Sequence, residues 1–138
     1  MDLGLSGKVV FLTGASSGIG LAAAELLASE GCYVIAGYKN NAAAASTMLG
    51  TIKARGGDGM IVQLDLGDVT SIRRCVTEIV NWVGKVDAVI FNAAWLKITP
   101  IEDISEEEWD ETFAVNLKGN FFLMQAIAPH VTNGGAAV

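Results

Sequence analysis

The chain has 138 residues, of which 51% are hydrophobic and 17% are charged, which suits one globular domain and excludes a disordered chain. Fifteen acidic and nine basic residues give a net charge of −6, which argues against a nucleic-acid partner. No apolar run is long enough to span a bilayer, and residues 1–7 lack the basic region of a signal sequence. We therefore expect a cytoplasmic protein that binds neither nucleic acid nor membrane, with Cys32 and Cys75 reduced.

The first element is a strand that leads through a glycine loop into a helix. The apolar run VVFL at residues 9–12 is typical of a strand buried on both faces. Gly14, Gly18 and Gly20 follow, and the pattern becomes helical from Gly18 onward. A helix that begins at such a loop offers unpaired N–H groups and a partial positive charge, which suit a pyrophosphate. The alternative is a tight turn that binds no ligand.

The rest of the chain alternates apolar runs with helical patterns. Strands that alternate with helices predict an α/β fold, a doubly wound parallel sheet with helices on both faces. The predicted strands cover residues 9–12, 32–37, 60–64 and 86–91, and the predicted helices cover residues 18–30, 42–55, 69–83 and 106–130.

The last predicted helix opens at Ser105-Glu106-Glu107-Glu108, which has the spacing of a capping box with Ser105 as the amino-terminal cap. This helix has apolar residues on two sides. A helix that is apolar on more than one side must be buried on more than one side. One side is expected to face the sheet, and the other to meet a neighbouring element or a second subunit. The main stripe comprises Trp109, Phe113, Leu117, Phe121, Met124 and Ala128, and the residues off it are Val115, Phe122, Leu123 and Ile127.

Four motifs, in the same order along the chain, resemble those of the short-chain dehydrogenase/reductase family. TGASSGIG at residues 13–20 is similar to the family's TGxxxGxG, and Asp65-Leu66 follows the third strand as in the family. FNAA at residues 91–94 resembles Asn-Asn-Ala-Gly with its first and last residues replaced, and VNLKG at residues 115–119 matches Val-Asn-x-x-Gly. The resemblance implies a Rossmann-like fold, a nicotinamide cofactor and the interconversion of small-molecule carbonyls and alcohols. It also implies that the glycine turn at residues 133–135 leads into the fifth strand, so that the sheet is truncated at the start of that strand.

The resemblance also implies which residues bind the cofactor. They lie in the glycine loop, after the second, third and fourth strands, and in the last helix. These residues are Gly14, Ser16, Ser17, Gly18, Ile19, Gly20, Tyr38, Lys39, Asn40, Asp65, Leu66, Asn92, Ala93, Ala94 and Val115.

The end of the second strand determines which dinucleotide is preferred. A carboxylate there binds the adenosine ribose in NAD sites, but residues 31–57 contain no acidic residue. Aligned on the family pattern, Tyr38 takes the place of that carboxylate and Lys39 follows it. Because a lysine attracts a 2′-phosphate, we predict NADP(H) rather than NAD(H), with Asn40 and Asn41 as further candidates to contact the phosphate. Otherwise Lys39 is an ordinary surface lysine.

Three polar residues have a structural alternative beside the role that the resemblance implies. Asp65 would accept from the adenine amino group, or else form a turn, with Asp68 the better candidate for a helix cap. Asn92 either contacts the cofactor or joins neighbouring strands. Asn116 would be the catalytic member, holding a water in a proton relay as one of a tetrad of Asn, Ser, Tyr and Lys, or else it kinks or caps its helix. No spacing of Cys, His and acidic residues suggests a metal site.

We therefore expect residues 1–138 to form a single NAD(P)-binding domain of an oxidoreductase, with the catalytic Ser and the Tyr-x-x-x-Lys beyond Val138 and the 138-residue chain inactive alone. The resemblance implies a homodimer or homotetramer through the helix at residues 106–130. A non-catalytic dinucleotide-binding module is the alternative if the protein ends at Val138. Another Rossmann-like enzyme, such as a methyltransferase, would need the acid that is absent after the second strand.

Overall fold

The computed structural model describes residues 3–138, in which parallel strands alternate with helices; Met1 and Asp2 of the expected domain lie outside the described residues. The strands are β1 (Val9–Thr13), β2 (Tyr33–Tyr38), β3 (Asp58–Gln63), β4 (Val86–Ile90) and β5 (Val131–Ala137). The helices are α1 (Gly18–Ser29), α2 (Ala42–Ala54), α3 (Val69–Val83), α4 (Glu106–Phe113) and α5 (Asn120–Ile127). None of the helices described is long and apolar enough to cross a membrane.

The five strands form one sheet in the order β3-β2-β1-β4-β5, with every neighbouring pair parallel. This confirms the predicted doubly wound α/β sheet. The strand order reverses between β1 and β4, because the chain moves outward from β1 on one side and from β4 on the other. In such sheets the crevice at the carboxyl ends of the strands beside this reversal is the usual ligand site.

The sheet is covered on both faces, as the apolar runs predict. Val10 and Leu12 of β1 pack toward α1 and α2, whereas Phe11 between them packs toward α3 and α5. Alternate residues of a strand point to opposite faces, so a continuous apolar run requires helices on both sides. All three of these side chains are buried, which fixes β1 at the centre of the core.

The predicted long helix is present, but a π-helical turn interrupts it between α4 and α5. The turn covers Ala114–Gly119, and a short 3₁₀ turn at Ala128–His130 ends the helix. The Ser105 hydroxyl accepts a hydrogen bond from the Glu108 N–H at 3.2 Å, which confirms the predicted amino-terminal cap. Leu123 and Ile127 are buried against the core. The exposed fractions of the opposite face are 57% for Trp109, 43% for Phe113, 62% for Leu117 and 62% for Phe121.

The fifth strand differs from the prediction at its start. The strand begins at Val131, before the glycines, and its pairing with β4 shifts register between the pairs Val86–Val131 and Ala88–Ala136. The expectation of a glycine turn ahead of the strand is therefore wrong, because these glycines form a bulge inside it. A bulge accommodates extra residues on one strand without ending the pairing.

Asp87 of β4 joins the starts of three neighbouring strands. Its Oδ2 accepts from the Val9 N–H at 2.8 Å and its Oδ1 from the Thr132 hydroxyl at 3.0 Å, while Lys8 Nζ lies 3.8 Å from Oδ1. The Val9 N–H, assisted by Thr132 and Lys8, lowers the pKa of Asp87 below its ordinary value although partial burial opposes this. The charged form of Asp87 is therefore more stable in the folded chain than in the unfolded chain.

We expect Asp87→Asn to lower the free energy of unfolding at pH 7 by about 1 kcal/mol, because charge-assisted hydrogen bonds become neutral ones. Since the folded pKa is lowered, this stabilisation is present above the unfolded value of about 3.9 and is lost as the pH falls through the folded value. Urea unfolding from neutral to acidic pH measures the difference in the free energy of unfolding between wild type and Asp87→Asn. This difference should shrink below about pH 4. The exposed Asp103→Asn is the control. Equal stability of wild type and Asp87→Asn at pH 7 would contradict this assignment.

Candidate functional site

The carboxyl ends of β1 and β4 are held together by hydrogen bonds between Thr13 and Asn92. The buried Thr13 Oγ1 accepts from the N–H groups of Asn92 and Ala93, both at 3.0 Å. In return, Asn92 Nδ2 donates to the carbonyl oxygens of Thr13 at 3.0 Å and Gly14 at 3.2 Å. Asn92 therefore has the strand-joining role that the sequence left open. Thr13 was not among the predicted site residues, although its motif contains it.

The glycine loop packs tightly against both β4 and α1. Gly14 has φ +68°, and a Cβ at this position would lie 2.9 Å from the Cα of Ala93. A Cβ on Gly20 would overlap the carbonyl oxygen of Gly14. Ser17 is the N-cap of α1, but its side chain makes no capping hydrogen bond. The amino end of α1 is therefore not capped by a side chain where it meets the loop.

A cavity of about 520 Å³ lies at this edge of the sheet, between the glycine loop and the ends of β2, β3 and β4. The predicted binding residues line it, except Gly18 and Gly20, which lie in the adjoining first turn of α1. That these residues bind a dinucleotide stays a prediction. The cavity is also lined by Asn41, the further candidate to contact the phosphate, and by Gly37, Leu64 and Trp95, which are outside the predicted cofactor-binding set. Gly37, Leu64 and Trp95 each adjoin a predicted residue in the sequence, which is the signal that identifies them.

Lys39 and Asp65 both line the cavity and form an ion pair, with Lys39 Nζ 3.3 Å from Asp65 Oδ1. Asp65 Oδ1 also accepts from the Gly67 N–H at 2.9 Å, so Asp65 forms a turn and faces the cavity as well. Asp68 accepts from the Thr70 N–H at 2.8 Å and is the N-cap of α3, which confirms that assignment. Asn41 Oδ1 caps α2 by accepting from the Ala44 N–H at 3.0 Å.

Asn116 lies in the π-helical turn and does not line the cavity. Its Oδ1 accepts from the Trp95 N–H at 2.8 Å, and its Nδ2 donates to the Trp95 carbonyl oxygen at 2.7 Å. Both polar atoms of the side chain thus hold the backbone of a residue in the cavity wall. The structure gives Asn116 a positioning role at a distorted helix turn, and its catalytic role stays a prediction.

The two cysteines are buried free thiols. Burial raises the pKa of Cys75 to about 12 and also raises the pKa of Cys32. Neither thiol is therefore ionised enough at neutral pH to act as a nucleophile. Over residues 3–138, no group of three or more His, Cys, Asp or Glu side chains is placed to hold a metal ion.

We expect Thr13→Val to reduce the free energy of unfolding by about 1–3 kcal/mol, because the N–H groups of Asn92 and Ala93 lose their acceptor while the side-chain shape is kept. Thr47→Val is the control, since the Thr47 hydroxyl donates to the Ala43 carbonyl oxygen on the exposed face of α2. Urea unfolding of both variants provides the comparison. A loss for Thr13→Val no larger than for Thr47→Val would contradict the role of these hydrogen bonds.

Comparisons with known proteins agree with this geometry. The sequence profile of the family described as short chain dehydrogenase matches residues 8–138. A probable tetrahydroxynaphthalene reductase from Zymoseptoria tritici is 34% identical over 134 residues, which are 97% of this chain and 50% of that protein. Elsinochrome reductase 1 from Elsinoe fawcettii is 35% identical over 134 residues, which are again 97% of this chain and 50% of that protein.

Among solved structures, a short chain dehydrogenase from Burkholderia cenocepacia J2315 in complex with NADP has a TM-score of 0.91 and 31% identity to this chain. The similarity covers 96% of this chain and 54% of that one. The chain therefore spans about half the length of the relatives it matches.

Proposed function

The chain belongs to the short chain dehydrogenase family, and on that premise we propose that it is the dinucleotide-binding part of an NADP(H)-dependent oxidoreductase. The whole protein would interconvert a carbonyl and a secondary alcohol by hydride transfer. The observation that carries the proposal is one cavity that is lined both by the glycine loop at the amino end of α1 and by Lys39. The NADP bound in the structure of the relative from Burkholderia cenocepacia supports the choice of cofactor.

Each part of the cavity suits one part of the cofactor. The glycine loop and the first turn of α1 would receive the pyrophosphate, because they combine close backbone approach with a partial positive charge. Asp65 would accept from the adenine amino group, and Lys39 would face the 2′-phosphate. The small side chains of Ala93 and Ala94 would let the second ribose approach the end of β4. The nicotinamide, when bound, supplies or accepts the hydride.

The substrate would be a small carbonyl or alcohol compound that approaches past Trp95. Trp95 lines the cavity, and its neighbours Leu96 and Ile98 have exposed fractions of 79% and 94%. Asn116 fixes the backbone of Trp95 and so would hold this apolar wall in place. A cytoplasmic location remains a prediction from the sequence.

We expect Gly20→Ala to weaken NADPH binding by at least about tenfold, because its Cβ would overlap the Gly14 carbonyl oxygen and displace the glycine loop. Gly50→Ala is the matched control, since nothing lies within 4 Å of a Cβ at that position in α2. Fluorescence titration of the intact protein with NADPH provides the measurement, with circular dichroism to verify folding. Equal affinities of the two variants would contradict the proposed site.

An activity assay of the wild-type intact protein distinguishes an oxidoreductase from a non-catalytic binding module. NADPH oxidation that depends on an added carbonyl compound, tested over a panel of aromatic ketones, is the result expected for an oxidoreductase. NADPH binding without such turnover would favour the non-catalytic alternative. Failure to bind NADPH would contradict both.

We also propose that the protein is a homodimer or homotetramer formed through the helix at residues 106–130. The support is the exposed apolar face of this helix, where the rings of Trp109 and Phe113 stack with their centroids 4.7 Å apart. Large exposed apolar patches usually mark an interaction surface. A second copy of the chain would cover this face and bury its aromatic side chains.

We expect Leu117→Glu to shift the intact protein toward the monomer, because a carboxylate would be buried at the proposed interface. Leu26→Glu is the control, since Leu26 on α1 has an exposed fraction of 63%, against 62% for Leu117. Light scattering coupled to gel filtration measures the mass of each variant. The same mass for wild type and both variants would contradict this interface.

A further inference from the structure

The charges in the cavity are few and paired with each other. Among the described residues that line the cavity, Lys39 is the only cationic side chain and Asp65 the only anionic one. They follow adjacent strands, β2 and β3, and approach to 3.3 Å. Their side chains have exposed fractions of 49% and 37%, so water screens the pair without separating it.

The backbone of Lys39 is fixed at the edge of the cavity. Gln63 Nε2 donates to the Lys39 carbonyl oxygen at 3.3 Å, and Arg74 in turn donates to Gln63 Oε1 at 3.4 Å. The Leu64 N–H donates to the Tyr38 carbonyl oxygen at 2.7 Å. Because the main chain is held on both sides, only the side chain of Lys39 is free to change partner.

The carboxylate of Asp65 is held more firmly than the ammonium group it binds. The Asp65 N–H donates to the Ser71 hydroxyl at 3.0 Å, and its Oδ1 accepts from the Gly67 N–H at 2.9 Å. Ser71 is buried, so this turn belongs to the packed part of α3. A second anion that enters the cavity therefore competes with Asp65 for the ammonium group of Lys39.

We propose that Asp65 limits the preference for NADP(H) by holding Lys39 in an ion pair for which the 2′-phosphate must compete. This inference rests on the proposed dinucleotide function and adds a selectivity role to Asp65. A dinucleotide without the 2′-phosphate leaves the pair intact, whereas one with it gains Lys39 only in competition with Asp65. The discrimination is therefore smaller than an unpaired lysine would provide.

The test is a double-mutant cycle on the ratio of NADH to NADPH dissociation constants, measured by fluorescence titration of the intact protein. The four proteins are the wild type, Asp65→Asn, Lys39→Gln and the double variant. Both cofactors carry the same adenine, so a change in adenine binding at Asp65 cancels in the ratio. Asn at position 65 keeps an oxygen that can accept from the Gly67 N–H, so the turn is retained.

Asp58→Asn is the matched control. Asp58 at the other end of β3 also pairs with a lysine, Lys53 at 3.9 Å, and its Oδ1 also accepts from a glycine N–H, that of Gly59 at 2.8 Å. Asp58→Asn therefore changes the net charge by the same amount as Asp65→Asn and alters the same kinds of contact, but outside the cavity. We expect it to leave the ratio unchanged.

We expect Asp65→Asn to raise the ratio about two- to fivefold, the size typical of an exposed ion pair, and to have no effect in the Lys39→Gln background. An equal rise in both backgrounds would mean direct repulsion between Asp65 and the phosphate and would overturn the proposal. An unchanged or lowered ratio in Asp65→Asn would overturn it as well. If the wild type binds both cofactors, a result that overturns the role of Asp65 leaves the proposed function intact. If the wild type binds neither NADPH nor NADH, both proposals are overturned.

Discussion

The reciprocal hydrogen bonds between Thr13 and Asn92 are the interaction on which the rest of this edge of the sheet depends. They join β1 and β4 where the strand order reverses, which is the position at which parallel sheets open a crevice. With the two strand ends held, Gly14 packs directly against Ala93 and turns the chain into α1. A larger residue in place of Gly14, or the loss of these hydrogen bonds, would separate the amino end of α1 from the cavity.

The cavity combines two kinds of positive potential that arise differently. The amino end of α1 contributes backbone N–H groups, which are fixed by the fold and do not titrate. Lys39 contributes a mobile ammonium group, and Asp65 already neutralises it. In the proposed complex, the pyrophosphate would bind N–H groups that the fold already holds in place. A 2′-phosphate would instead have to compete with Asp65 for the ammonium group of Lys39. On the proposed dinucleotide function, a lysine in this position would therefore not by itself determine cofactor preference.

Local sequence patterns predicted the sheet and the helix cap at Ser105, because apolar periodicity and capping spacing report the backbone directly. The residues around the cavity were predicted from the resemblance of four motifs to the family. The pairing of Lys39 with Asp65 depends on the distance between two strand ends, and the bonds from Asn116 to Trp95 depend on how a loop meets a helix. Neither distance is encoded locally. The bulge in β5 was missed because its glycines are also typical of a turn.

The most direct test of this account is a crystal structure of the intact protein with NADPH bound. We expect the pyrophosphate at the amino end of α1, the adenine beside Asp65, and Lys39 turned from Asp65 to the 2′-phosphate. A dinucleotide bound away from the glycine loop, or a cavity that stays closed to NADPH at saturating concentration, would contradict the central claim that this cavity is a dinucleotide site.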